Sequence, residues 1–175
     1  MVNLIFKPFP ILTSERLTLR KLSTDDQQAI FALRSDTAIN KYLDRAPSKT
    51  IEDAINFINK INEHIQKNNS IYWVIMLTET KMVVGTICLY DFSDENNSCE
   101  IGYELMTKFQ GQGIMKEAAE EVIAYAFRTL QVQKIVAFTH HQNQHSTKLL
   151  TSLKFLQSPD TNKENPDYYI FTLTQ

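Results

Sequence analysis

Four glycines occur in the chain, Gly85, Gly102, Gly111 and Gly113, where average usage would give about 12 at this length. Two of them stand one residue apart in Gly111-Gln112-Gly113, between a strand-like run and the start of a strongly helical one. Unpaired backbone N–H groups emerge from a helix end at such a point, and the helix dipole there favours an anion. Glycine lets phosphate oxygens approach the backbone because no Cβ stands in the way. Phosphate binding is the chemistry this spacing suits; the alternative is a strand-to-helix turn that needs glycine torsions and binds nothing. Two common phosphate motifs are excluded. A P-loop needs Lys-Ser/Thr after its last glycine, and Ile114-Met115 follow here. A dinucleotide fingerprint wants a small residue where Lys116 stands, and an acid about 20 residues further on. Residues 131–138 carry no acid, so a different phosphate ligand is indicated.

Glu100 and Glu104 have even spacing on a strand-like run and share one face, opposite Cys99, Ile101, Tyr103 and Leu105. A carboxylate beside a partly desolvated cleft can take a proton. Either one reads equally as a group that faces solvent or pairs with a cation. His140, His141 and His145 do not make a metal site: His141 and His145 are four apart, but a helix boundary falls between them, and no acid is adjacent. No metal is expected. Cys88 and Cys99 lack CxxC spacing and read as free thiols of a reducing cytoplasm, with a single disulfide as the alternative. No Ser-His-Asp or Cys-His arrangement is legible.

These residues need elements to position them. Residues 16–22 (RLTLRKL) alternate as a half-buried strand does. Ser23 with Asp26 three residues later starts a helix through Arg34. Thr50 and Asp53 start a second, whose stripe is Ile51, Ala54, Ile55, Ile58, Ile61 and Ile65. Runs at 72–77, 82–90 and 99–105, joined by short polar turns, predict an antiparallel meander. A helix over 114–130, a strand over 134–139, a helix over 144–153 and a closing strand over 168–173 follow. Residues 93–98 (SDENNS) read as a hairpin loop, and 158–166 (SPDTNKENP) as a surface loop. Residues 99–139 form a βαβ unit, whose crossover makes a parallel pair, so a mixed sheet with helices on both faces is expected.

A chain of 175 residues is one domain, taken as 1–175. It can bury roughly 70% of its unfolded surface without a disulfide or metal. Its 43% apolar and 22% charged residues exclude collagen, coiled coil and disorder. Eighteen basic and 20 acidic residues leave a charge of −2, which predicts neither nucleic acid nor an anionic membrane as partner. The opening MVNLIFKPFPIL is broken by Lys7, Pro8 and Pro10 and has no signal-peptide core. No run reaches the length of apolar residues a membrane span needs. A cytoplasmic protein is expected.

Three segments, in order, carry a family resemblance. Residues 100–118 (EIGYELMTKFQGQGIMKEA) resemble the coenzyme-A loop of the GNAT N-acetyltransferases, in the RimJ/RimL-like branch that includes ribosomal-protein N-terminal acetyltransferases. Residues 14–26 (SERLTLRKLSTDD) resemble that branch's opening strand and helix cap, with Ser14 in a threonine's place. Residues 143–155 (NQHSTKLLTSLKF) resemble its Asn-x-x-Ser helix. The likeness spans about residues 12–173 and is far more specific than Gly-x-Gly alone. Two departures stand out: Lys108 opens the family's Arg/Gln-x-x-Gly-x-Gly pattern, and Lys154 replaces the glycine before Phe155, so that turn is expected to differ.

The resemblance implies a mixed α/β (α+β) GNAT-like fold: a mostly antiparallel sheet of six to seven strands, a parallel central pair, and helices on both faces. It implies that acetyl-CoA is the cosubstrate. Backbone N–H groups of Gln110, Gly111, Gln112, Gly113, Ile114 and Met115 would hold the pyrophosphate. The strand end at Glu104, Leu105, Met106 and Thr107 would pair with the pantetheine arm, and Asn143 would bond it. Ser146 would protonate the leaving thiolate and also touch the coenzyme. Glu100 is the first choice of base, ahead of Glu104 or water alone. Tyr103 and Phe109 match family aromatics and read as core or wall residues; Lys116 and Lys148 read as solvated. The expected activity is direct transfer of an acetyl group to a primary amine, by analogy a protein N-terminal α-amine. A polyamine or antibiotic acceptor, a non-catalytic acyl-CoA-binding module and a pure interaction protein are the rivals. Neither a monomer nor a homodimer is required by the pattern.

Overall fold

The computed structural model describes residues 4–160, 162 and 165–175; part of the 158–166 loop therefore lies outside the described residues. A short strand β1 (Leu12–Thr13) and β2 (Leu17–Lys21) open the chain. Helices α1 (Gln27–Ser35), α2 (Thr37–Asn40) and α3 (Ile51–Gln66) come next. The meander is β3 (Ile71–Leu77), β4 (Val83–Ser93) and β5 (Ser98–Leu105). Helix α4 (Ile114–Arg128), β6 (Lys134–His140), α5 (Gln144–Ser152), β7 (Leu156–Gln157) and β8 (Tyr168–Thr174) complete it.

Local chemistry explains the boundaries. The Ser23 hydroxyl accepts the Asp25 N–H while the Asp26 carboxylate accepts the Ser23 N–H at 2.8 Å. Thr50 and Asp53 make the same reciprocal cap at the start of α3. The Asp36 carboxylate accepts from Ala38 and Ile39 N–H and so starts α2, an element the sequence reading did not include. At the end of α5 the turn keeps the glycine-type conformation despite Lys154, which sits at φ +70°. The Phe155 N–H still reaches back to Leu150 O at 3.0 Å, as a left-handed helix stop requires. The expected change of turn there does not occur.

The eight strands run in the order β1-β2-β3-β4-β5-β6-β8-β7. Six have five residues or more; the two-residue β1 and β7 carry the total past the six or seven expected. All pairs are antiparallel except β5 with β6. Helices cover both faces, as adjacent residues of β3 demonstrate. Tyr72 packs edge-on against Phe57 of α3, with ring centroids 5.8 Å apart, and Trp73 against Tyr125 of α4 at 5.6 Å. Successive strand residues point to opposite faces, so α3 and α4 lie on opposite sides of the sheet. Trp73, Ile75, Ile87 and Leu89 are wholly buried on the α4 side. Cys88 and Cys99 are free thiols on opposite faces, each pushed up to about 12 by burial first and by nearby carboxylates second. Among the described residues, no helix is long and apolar enough to cross a membrane.

Candidate functional site

The parallel pair opens almost as soon as it forms. Ser98, Cys99 and Glu100 pair with Lys134, Ile135 and Val136, and the register ends there. β5 continues to Leu105 beside β4, and β6 to His140 beside β8. Past Glu100 the two strands diverge, and among the described residues no other strand closes the gap. The Met106 N–H donates to Val84 O at 2.9 Å. Antiparallel ladders alternate, so the main chains of Glu104 and Gly102 also face β4. Those of Tyr103 and Leu105 face the gap. Of the strand-end residues expected to meet a pantetheine arm, Met106 therefore has its N–H committed to β4. The Thr107 hydroxyl faces Asp36 at 3.4 Å, and Leu105 O accepts from the Gln110 side chain at 3.0 Å. Tyr103 contributes main-chain groups the sequence reading left out.

Two clefts of about 380 Å³ each meet at this gap. One is lined by Glu104, Leu105, Gln110, Gly111, Gly113, Ile114, Met115, Lys116 and Leu149. The other is lined by Asp44, Tyr90, Gly102, Phe138, Thr139, His140 and Tyr168. Tyr42, Leu43, Tyr103, Asn143 and Ser146 line both. A larger hollow of about 530 Å³, between Asn97, Arg128, Gln131 and Gln175, lies at the far end of α4 and β6 and holds no acid, base or nucleophile that could work as a pair.

The glycine turn forms one end of the first cleft. Gly111 has φ +73° and Gly113 has φ +77°. A Cβ on Gly111 would meet no atom within 4 Å, so its surface is open to a ligand. Gly113 is the N-cap of α4 and supplies no side-chain cap. Among the described residues, no hydrogen bond takes the N–H groups of Gly111, Gly113, Ile114 or Met115, whereas that of Gln110 is bonded to Thr107 O at 3.2 Å. These open donors at a helix N-terminus, with no Cβ on Gly111 or Gly113 in front of them, make an anion cradle that suits a pyrophosphate.

Behind the turn, Glu117 accepts from the Ser14 hydroxyl at 2.7 Å, the Arg16 N–H at 2.9 Å and Arg16 Nε at 2.7 Å. Arg16 Nη1 donates to Gln112 O at 3.2 Å. Burial works to raise the Glu117 pKa, but these donors outweigh it and hold the carboxyl below its usual range.

The Tyr103 and Ser146 hydroxyls lie 2.8 Å apart at the junction of the clefts. Burial pushes the Tyr103 phenol up to about 12, against the opposing effect of Ser146. It stays protonated across the physiological range and can donate a hydrogen bond to a developing anion. Asn143 caps α5, accepting the Ser146 N–H at 3.2 Å, and its amide NH₂ remains as a donor at the wall of both clefts.

Glu100 and Ser146 are not brought together. Glu100 stands on the α3 face beside its cross-strand partner Tyr90. Burial, then the charge of Glu100, raises the Tyr90 pKa, so Tyr90 is a neutral link between that carboxylate and the cleft it lines. Glu104 is held by Arg45 through two contacts of 2.6 and 2.7 Å, and Arg45 Nε is fixed by Asn40 at 2.7 Å. Lys116 lines the first cleft and reaches Glu120 at 3.9 Å. His140 stacks between Tyr42 and His141, with centroids 5.3 and 4.5 Å away, and Tyr168 bonds Tyr42 O at 2.6 Å. Among the described residues, no group of three metal ligands forms.

Sequence reasoning gave no individual role to Arg16, Arg45 or Tyr168, and read Tyr103 as a core or wall residue. Only Arg16 carried a signal, since it lies in the quoted SERL motif.

The profile described as acetyltransferase (GNAT) domain matches residues 16–156. The uncharacterized N-acetyltransferase p20 of Bacillus licheniformis is 34% identical over 82% of this chain and 81% of that protein. The [ribosomal protein uS5]-alanine N-acetyltransferase of Escherichia coli is 29% identical over 56% of this chain and 51% of its own. The structure of Mycobacterium smegmatis RimJ with CoA-disulfide superposes with a TM-score of 0.85 at 16% identity, over 94% of this chain and 87% of that one. At that identity the likeness speaks for the fold.

Proposed function

The chain belongs to the acetyltransferase (GNAT) family, and on that premise we propose that it transfers an acetyl group from acetyl-CoA directly to a primary amine, with a protein N-terminal α-amine as acceptor. The observation that carries this reading is the meeting of two clefts at the Tyr103–Ser146 pair. One cleft runs to the open N–H groups of the glycine turn and suits the coenzyme. The other, past Tyr90 and Tyr168, suits the acceptor. The domain is taken as residues 1–175, acting in the cytoplasm.

The N–H groups of Gly111, Gln112, Gly113, Ile114 and Met115 hold the pyrophosphate. The main chains of Tyr103 and Leu105 receive the pantetheine arm, with the Asn143 amide beside it. Acetyl-CoA supplies an activated acyl group, so the chain need only position, deprotonate and stabilise. Glu100 takes the ammonium proton through Tyr90 or a water, and the neutral amine then attacks the thioester carbon. The second amine proton ends on the departing sulfur. Tyr103 and Ser146 stabilise that sulfur with hydrogen bonds, and the proton reaches it through the Ser146 hydroxyl, which gives its own proton to the sulfur as it takes the one leaving the nitrogen. Glu104, already bound to Arg45, serves as structure.

The acceptor class is supported by the relative that acts on an alanine of ribosomal protein uS5. Thiol release from acetyl-CoA, followed with a panel of peptides bearing free or blocked N-termini and with spermidine, tests it. Turnover with free N-terminal Ala or Ser peptides is expected. Turnover with spermidine alone would overturn the acceptor, and none with any amine would overturn the enzyme reading.

A further inference from the structure

Arg16 lies 101 positions from Glu117 in the chain, yet its guanidinium spans from the Glu117 carboxylate to the carbonyl of Gln112, the residue between the two loop glycines. Its Nη2 contacts Glu117 Oε2 at 2.6 Å, and a Cβ on Gly113 would stand 3.5 Å from that same nitrogen. Every nitrogen of the guanidinium is thus engaged behind the turn and away from the open face of Gly111. We propose that Arg16 is a positioning residue that sets the phosphate turn in its anion-accepting form. This rests on the coenzyme reading above.

The argument is geometric. The Gln112 C=O and the Gly113 N–H belong to one planar trans peptide and point in opposite directions. Holding that carbonyl on Arg16 aims the Gly113 N–H into the cleft. Glycine at 113 would also permit the flipped peptide, because positive and negative φ cost it alike. In the flipped state a carbonyl dipole would face the phosphate and repel it. Arg16 selects one of the two. It also neutralises Glu117, an acid in the first turn of the same helix, whose bare charge would oppose a pyrophosphate. Ser14 and the Arg16 N–H fix the carboxylate that fixes the guanidinium.

Calorimetric titration with CoA, paired with NMR titration by pantetheine, tests this on the wild type, Arg16→Met and Arg16→Lys. Pantetheine lacks the pyrophosphate and reports the rest of the cleft. Arg16→Met is expected to weaken CoA about tenfold and to leave pantetheine unchanged. Arg16→Lys should recover part of the loss, since an ammonium can pair with Glu117 without bridging to Gln112 O. CoA affinity unchanged in Arg16→Met would overturn the inference alone. So would an equal loss of CoA and pantetheine, which marks a merely structural role. A wild type that binds pantetheine and CoA alike, or neither, would overturn the coenzyme reading and this inference with it.

Discussion

The Tyr103 hydroxyl, on β5, and the Ser146 hydroxyl, in the first turn of α5, are 2.8 Å apart across the gap between the diverging strands. Two side chains 43 residues apart are joined at the one place both clefts reach. Tyr103→Phe removes the phenolic donor and leaves the ring packing. It is expected to lower kcat by about 10²-fold, with the CoA Kd within about twofold of wild type. The Tyr103 pKa, at about 12, puts its titration above the working range. No alkaline limb below about pH 11 should therefore vanish in this variant.

Arg45 and Glu104 tie the segment between α2 and α3 to the end of β5. Their side chains are 20% and 15% exposed, so the pair is largely shielded. Arg45→Met leaves a carboxylate without its partner and should cost about 1–3 kcal/mol in urea denaturation. Glu104→Gln keeps one hydrogen bond to Arg45 and should cost less. With Glu100 as the proposed base, it should also retain turnover.

Glu117 makes stability depend on pH. Its folded pKa is lowered, so its contribution is present above the unfolded value and is lost as pH falls through the folded one. Glu117→Gln should be less stable than wild type at neutral pH. The difference should start to shrink as the pH falls below about 4.3, the ordinary glutamate value, and vanish below the folded one. Denaturant midpoints across that range read it directly.

Lys154 holds a left-handed conformation, φ +70°, at the stop of α5. Lys154→Gly should raise stability by about 0.5–1 kcal/mol, since glycine meets no Cβ penalty there. A rise in Tm with unchanged activity is the expected reading.

Much of this was legible locally. The Thr50–Asp53 cap, the period-two runs of the meander and the glycine pair before α4 are signals within a few residues, and each marks an element or turn the structure contains. The pairings were not legible, because nothing in a local pattern says that Arg16 meets Glu117 or that Arg45 meets Glu104. Tyr103 reads as an apolar wall from its alternation; its hydroxyl acquires meaning only once α5 delivers Ser146. The even spacing of Glu100 and Glu104 assigns Glu100 to the strand face it occupies, but its separation from Ser146 follows from β5 lying between them. The α2 helix is four residues long and has too short a period to register.

Calorimetric titration of acetyl-CoA into the wild-type protein and into a Gly111→Trp, Gly113→Trp double variant, its folding checked by circular dichroism, tests the central claim most directly. Binding on the order of micromolar by the wild type, abolished in the folded variant, is the predicted result. No binding by the wild type, or equal binding by both, would contradict it.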